Sequence, residues 1–259
     1  MSQAHVALVT GASSGIGAAI AAQLVGAGAF VLVGGRDPER TAAVAQALED
    51  AEGGRAVPVE FDLSDAEAVR RGMEAVRAAT EDVGPVDWLI NNAGLARSAP
   101  LLPKDGDVEA LFAEHMQVNF HGARRVIEAV LPGMLERKYG RIVNVASSAG
   151  LYGYPYVSAY CASKHALVGY SQSAALELAR TGVAINLVCP HYVDTPMTDR
   201  SIDVIVEKTG KTKEEARAFF AAQNPGGRLV EPEEVAGETL ALLEGERTGV
   251  IVELDGSSA

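Results

Sequence analysis

Tyr160 and Lys164 stand four residues apart in YCASK, a Y-x-x-x-K spacing. On a helix, positions i and i+4 share one face. A phenol near pKa ~10 is a poor acid–base at neutral pH. A neighbouring ammonium favours the phenolate and lowers that pKa, which turns the phenol into a usable proton donor and acceptor. Taken alone, the spacing describes a surface pair equally well. Ser147 lies thirteen residues upstream of Tyr160 in NVASSAG. Cys161 adjoins Tyr160 but points ~100° away on a helix, and reads as a packing residue.

A second chemistry lies near the start, in Thr10-Gly11-Ala12-Ser13-Ser14-Gly15-Ile16-Gly17. Glycines between a strand and a helix permit a tight turn, close approach of backbone to a pyrophosphate, and close packing of helix on sheet. A glycine-rich turn with no ligand is the plain alternative. The same stretch matches G-x-S-x-G, the hydrolase nucleophile elbow. Its place after the first strand, with no His and acidic partner in a comparable setting, argues against hydrolysis. About 20 residues on, where dinucleotide-binding folds read the adenosine ribose, stands Gly34-Gly35-Arg36-Asp37. A carboxylate there would pair with the ribose hydroxyls and repel a 2′-phosphate. Gly35 leaves room, and the guanidinium of Arg36 offers a fork matched to phosphate. This favours NADP(H) over NAD(H), with Arg40 adding charge one helical turn later. The competing arrangement has Arg36 solvated and Asp37 facing the ribose.

These residues must be placed by an alternation of short apolar runs and longer Ala-rich stretches. Strands are expected at Val6–Thr10, Phe30–Val33, Ala56–Leu63, Val86–Asn91, Arg141–Ala146, Ala184–Val188 and Val250–Leu254. Pro58 suggests that the third lies at an edge. Helices are expected over Gly15–Val25, Asp37–Glu52, from Ser64 to about Glu81, Val108–Arg137 and Tyr156–Thr181. Ile16, Ile20 and Leu24 mark one helix face, and Ser64 with Glu67 reads as a capping box. A loop with Pro100 and Pro103 precedes the helix at 108. Strands apolar on both faces, separated by helices, mean a parallel sheet covered on both sides. With right-handed crossovers this is an α/β, doubly wound Rossmann fold. Residues 1–259 read as a single dinucleotide-binding domain, with no linker or repeat. The polar stretch 195–224, where Thr212 and Glu215 fit a capping box, reads as a helical lid.

Composition narrows the partners. With 48% hydrophobic residues a large core can be buried, and a net charge of −12 disfavours nucleic acid and anionic membranes. No apolar run reaches the length of a membrane span. Cys161 and Cys189 cannot make a disulfide framework, and no signal-peptide pattern opens the sequence, so a cytoplasmic location is expected. No metal site is expected.

Taken together, TGASSGIG, NNAG at 91–94, Asn119 in QVNFHG, Ser147 and YCASK resemble the single-domain branch of the short-chain dehydrogenase/reductase family over almost the whole chain. The resemblance implies a seven-stranded Rossmann sheet, a nicotinamide cofactor and a catalytic set of Asn119, Ser147, Tyr160 and Lys164. Tyr160 would be the general acid–base. Lys164 would hold the nicotinamide ribose and depress the tyrosine pKa, Ser147 would hydrogen-bond the substrate oxygen, and Asn119 would support a proton relay. The cofactor groove would involve Gly11, Ser13, Ser14, Gly15, Ile16, Gly17, Arg36, Asp62, Leu63, Asn91, Ala93, Gly94, Pro190, Val193 and Thr195. Asp62 resembles the adenine contact and Thr195 the carboxamide contact. Ser148 reads as a local turn hydroxyl. The family commonly has Gly after Cys189-Pro190, where this chain has His191.

Tyr152, Tyr154, Tyr156, His191, Tyr192 and Met197 are the candidate substrate pocket, an assembly of rings suited to a hydrophobic or aromatic ketone or alcohol. Phe219 and Phe220 read as a lid anchor. The stretches YCASKHALVG and LELARTGVAINLVCP are similar to polyketide ketoreductases, 3-oxoacyl thioester reductases and hydroxyacyl-CoA dehydrogenases. Arg124 and Arg125 could dock an acidic carrier, but the overall charge opposes that. A small or CoA-linked substrate is therefore preferred. The leading expectation is an NADP(H)-dependent interconversion of a ketone and a secondary alcohol. The alternatives are an NAD(H)-dependent hydroxyacyl or secondary-alcohol dehydrogenase running oxidatively, and a non-catalytic cofactor-sensing regulator. The resemblance also implies a homotetramer.

Overall fold

The computed structural model describes residues 4–52, 55–102 and 106–257; Pro103 lies outside them. Seven parallel strands form one sheet in the order β3-β2-β1-β4-β5-β6-β7. They are β1 (Val6–Thr10), β2 (Phe30–Gly35), β3 (Arg55–Glu60), β4 (Trp88–Asn91), β5 (Gly140–Val145), β6 (Val183–Pro190) and β7 (Ile251–Leu254). The strands alternate with α1 (Gly15–Gly26), α2 (Pro38–Glu52), α3 (Ala66–Ala79), α4 (Val108–Met116), α5 (Ala123–Arg137) and α6 (Ser158–Leu178). After β6 come α7 (Pro196–Thr209), α8 (Lys213–Ala221) and α9 (Pro232–Glu244). This is the expected doubly wound architecture.

The period-2 alternation of β1 and β2 divides two apolar layers. Ala7, Val9, Val31 and Val33 join one, with Ile20 and Leu24 of α1 and Val235 of α9. Val6, Leu8 and Leu32 join the other, with Val69 and Met73 of α3 and Ile127 of α5. Pro58 sits on β3, which pairs with β2 alone, so its missing N–H interrupts no second ladder.

Several boundaries differ from the sequence reading. Asp65, not Ser64, caps α3: its carboxylate accepts from Ala68 N at 2.7 Å, while the Ser64 hydroxyl donates to Asp62 at 2.8 Å. A carboxylate is the better acceptor at a helix N-terminus. The sixth helix starts at Ser158 because Tyr156 has φ +66°, which no right-handed helix admits. The helix expected across 108–137 is interrupted by one π-helical turn, Gln117–Gly122, which carries Asn119. Such turns often mark functional positions. Thr212 and Glu215 form the expected capping box at the start of α8.

Candidate active site

The glycine turn joins β1 to α1. Gly11 (φ +67°) and Gly15 (φ +55°) occupy the left-handed region that only glycine adopts without strain. A Cβ on Gly17 would lie 2.3 Å from the Gly11 carbonyl oxygen, so glycine there is a packing requirement. Ser14 is extended at the N-cap of α1 and makes no side-chain capping hydrogen bond. The amides of the first helical turn therefore present an anion-binding end. Asn92 ties the next loop to this turn: its Nδ2 donates to the carbonyls of Thr10 and Gly11, both at 3.1 Å. Thr10 Oγ1 accepts from the amides of Asn92 and Ala93, also at 3.1 Å.

Asn91, expected to line the groove, places its side chain elsewhere. It is 2% exposed and donates to Asn144 Oδ1 at 2.9 Å, while Asn144 donates to Ser171 Oγ at 2.8 Å. Strand alternation sends Asn91 inward and leaves Asn92 to face the turn. Sequence reasoning missed the role of Asn92 although it stands in the same NNAG.

At the end of β2, Arg36 is exposed and Asp37 is engaged in the backbone: its Oδ1 accepts from Arg40 N at 3.1 Å at the start of α2. Arg40 reaches back, its Nη2 donating to the Ser13 carbonyl at 3.4 Å. Asp62 accepts from both the amide and hydroxyl of Ser64. Leu63 is buried, and its carbonyl accepts from Gln117 Nε2 at 3.2 Å, which joins this end of the cleft to the π turn.

The second half of the site gathers at the ends of β5 and β6. Ser147 follows β5 and caps a short 3-10 turn, its Oγ accepting from Ala149 N at 3.1 Å. It also hydrogen-bonds Tyr160 and approaches the Pro190 carbonyl at 3.5 Å. Lys164 is 4% exposed and donates to the Val145 carbonyl at 2.9 Å. Its Nζ also lies beside Gly94, at 3.6 Å from where a Cβ would stand. Asn119 is fully committed: its Oδ1 accepts from Leu95 N at 2.8 Å, and its Nδ2 donates to Leu95 O and Ser163 Oγ, each at 2.9 Å. Its side chain thus positions the loop after β4.

The electrostatics depart from the sequence expectation. Burial pushes the Tyr160 phenol up to about 12, against the lowering effect of the Ser147 hydrogen bond. Lys164 does not offset this. Its Nζ is 5.9 Å from the Tyr160 ring centre, directed at a carbonyl, and burial brings the amine itself down to about 8. Burial likewise pushes the Cys189 thiol up to about 11. Tyr160 is therefore a neutral, proton-bearing phenol at neutral pH.

The proposed pocket rings divide. Tyr154 and Tyr192 face each other edge-on at 6.3 Å, and Tyr192 packs on Phe220 at 4.8 Å. Phe220 is buried and Phe219 exposed, so one ring of that pair anchors the helix. Tyr152 (51% exposed) and Tyr156 (67% exposed) lie on the rim instead. The His191 side chain is only 6% exposed, with Nε2 2.7 Å from Glu253 Oε1 and Nδ1 3.4 Å from the Tyr154 hydroxyl. It clamps β7 to the loop after β5 rather than opening to the cleft, and Tyr152 donates to the same carboxylate at 3.1 Å. Ser148 is more than a turn hydroxyl, since it accepts from Tyr154 at 2.9 Å. Val193 is buried, its carbonyl accepting from Thr198 Oγ1 at 2.6 Å. Thr195 caps α7 with its methyl 3.3 Å from the place of a Cβ on Gly15, so α7 starts against the glycine turn. Met197 is half-buried in the first turn of α7.

The short chain dehydrogenase family model matches residues 5–204. The chain belongs to that family. This short-chain dehydrogenase is 39% identical over 243 residues to a putative ketoacyl reductase of Streptomyces coelicolor, covering 93% of this chain and 90% of the relative. It is 35% identical over 264 residues to D-beta-hydroxybutyrate dehydrogenase of Cupriavidus necator, covering 99% and 98%. The crystal structure of a variant actinorhodin polyketide ketoreductase with NADPH superposes with a TM-score of 0.89 at 36% identity, covering 98% of this chain and 97% of that one. The short-chain dehydrogenase is thus an oxidoreductase with ketoreductase-like relatives. Among its described residues, no helix is long and apolar enough to cross a membrane.

Proposed function

We propose that the protein interconverts a ketone and a secondary alcohol, using NADP(H), on a hydrophobic, aromatic or acyl-thioester substrate. The observation that carries this reading is the meeting of half-buried Tyr160 and Ser147 with buried Lys164 beside Gly94. The residues fit a dinucleotide. The glycine turn offers unpaired amides and a helix N-terminus to a pyrophosphate. Arg40 reaches Ser13, and exposed Arg36 ends the β2 turn, where a 2′-phosphate would be met. Asp37 is spent on capping α2, which supports NADP(H) over NAD(H). When bound, the nicotinamide supplies or accepts the hydride. Ser147 would hold the substrate oxygen and Tyr160 would deliver its proton to that oxygen in reduction, or remove it in oxidation. A phenol held near 12 suits donation. Lys164 would bind the ribose and re-supply positive charge, and Asn119 would fix the loop that carries Gly94 and Leu95.

The chain reads as one domain, with residues 195–224, which carry α7 and α8, as a helical lid. The apolar cluster of Ile202, Ala216, Phe220 and Leu229 holds the two helices. Two buried free cysteines suit a cytoplasmic setting, and family resemblance supports a homotetramer, which light scattering would test. The function is tested by screening ketones and alcohols with both cofactors while following the absorbance of the reduced nicotinamide. An NADH preference that Arg36→Ala leaves unchanged would overturn the cofactor assignment.

A second reading is an NAD(H)-dependent hydroxyacyl or secondary-alcohol dehydrogenase running oxidatively; the relative in Cupriavidus necator, named as a dehydrogenase of a hydroxy acid, supports its oxidative direction. The same screen separates the two.

A further inference from the structure

Behind the catalytic tyrosine lies a histidine with no part in the reaction described above. His115, on α4, is completely buried. Its Nδ1 is 2.7 Å from the Leu111 carbonyl, so that nitrogen carries a proton and donates. Its Nε2 accepts from the Arg97 amide at 3.1 Å, so that nitrogen carries none. The two bonds together define a neutral imidazole in one tautomer. The ring stands edge-on to Tyr160, with centres 6.4 Å apart.

The Arg97 amide belongs to the irregular segment after β4, whose alternate residues are all held. Leu95 is held at both backbone ends by Asn119, Arg97 by His115, and Ala99 by the Tyr156 carbonyl at 2.8 Å. The Arg97 guanidinium adds a two-point pair to Glu114, at 2.7 and 2.9 Å. Residues 95–99 thus form a strap from the π turn to the loop that carries Tyr156, lying against the helix behind Tyr160.

We propose that His115 is a positioning residue that fastens this strap only while its imidazole is neutral. The consequence for turnover, though not the strap itself, rests on Tyr160 being the acid–base. Protonation would set an Nε2–H against the Arg97 N–H, and a bond between two donors cannot form. The charged groups facing the ring are Arg97 from the strap and Glu114 from its own helix, with the Tyr160 phenol from α6. Burial holds the imidazole below its ordinary range, with Arg97 adding to this and Leu111 and Glu114 opposing it. The neutral form is thus the one favoured by folding. The fastening is complete above the ordinary histidine value of about 6.5 and is lost as pH falls through the lowered one.

The test is hydrogen–deuterium exchange of the 95–102 segment in the full chain, corrected for intrinsic rates, between about pH 8 and about pH 5. In the unaltered protein, protection should fall about tenfold across that range, the worth of one hydrogen bond. His115→Gln should remove the pH step, because an amide can accept from Arg97 and donate to Leu111 without titrating there. His115→Leu should keep protection of the segment at the reduced, low-pH level at both ends of the range, with KM for the ketone raised more than kcat is lowered. The proposal is overturned if His115→Gln keeps the pH step, or if His115→Leu is as protected as the unaltered chain. Tyr160→Phe run alongside separates the two readings. It should keep the pH step in exchange while losing turnover; if turnover survives, the acid–base assignment fails and the strap stands.

Discussion

At the β1 end the cleft is made of backbone, and at the β5–α6 end it is made of side chains. Gly11, Gly15 and Gly17 contribute a path of the main chain, fixed by positive φ and by contacts that leave no room for a Cβ. Ser147, Tyr160 and Lys164 contribute functional atoms, and the proton affinities of Tyr160 and Lys164 depend on burial. The backbone half should therefore respond to volume, and the side-chain half to the removal of single atoms and to pH. A phosphate-binding turn needs shape and amides, whereas proton transfer needs a titratable group in a chosen environment.

Experiments that push on this contrast run from the largest expected effect to the smallest. Tyr160→Phe removes one oxygen and should lower kcat/KM by about 10²–10⁴-fold while the Kd for NADPH stays within about twofold. Steady-state kinetics with fluorescence titration checks both, and a loss of cofactor binding would blur the two halves. In the unaltered enzyme, reduction should decline above about pH 8 as Lys164 loses its proton. A limb appearing only near 12, the value for Tyr160, would show that the lysine charge is not needed.

Gly17→Ala adds one methyl to the backbone half, within 2.5 Å of Asn92 Nδ2 and nearer still to the Gly11 carbonyl. It should cost about 1–3 kcal/mol, read as a lowered Tm and weaker NADPH binding. Unchanged affinity would mean that the turn relaxes freely. Arg36→Ala should reduce the NADPH-to-NADH ratio of kcat/KM by roughly tenfold, the scale of one charge-assisted hydrogen bond. Thr212→Ala lies in neither half. Losing the capping box should cost about 1 kcal/mol of α8 stability, seen as faster proteolysis near Gly210, with the chemical step unaltered.

Much of this was legible in the chain because it is written locally. The glycine turn, the strand–helix alternation and the Y-x-x-x-K spacing each depend on neighbours within one or two turns, and periodicity reports them directly. What was not legible depends on long-range contact. Nothing in QVNFHG marks a π turn, and its anchor on Leu95 comes from 24 residues away. His191 looked like a pocket residue beside Tyr192, but its partner Glu253 is 62 residues further on. Asn91 and Asn92 differ only in which way the strand end points them.

The sequence by itself determined a doubly wound sheet, a glycine turn after its first strand and the members of the proposed catalytic set, since residue type and spacing carry those. Tertiary structure alone decided how the set behaves. Desolvation keeps the Tyr160 phenol protonated, hydrogen bonds make Asn119 a fastener, and exposure leaves Tyr152 and Tyr156 on the rim, because solvent access and hydrogen-bond partners are settled by packing between segments distant in the chain.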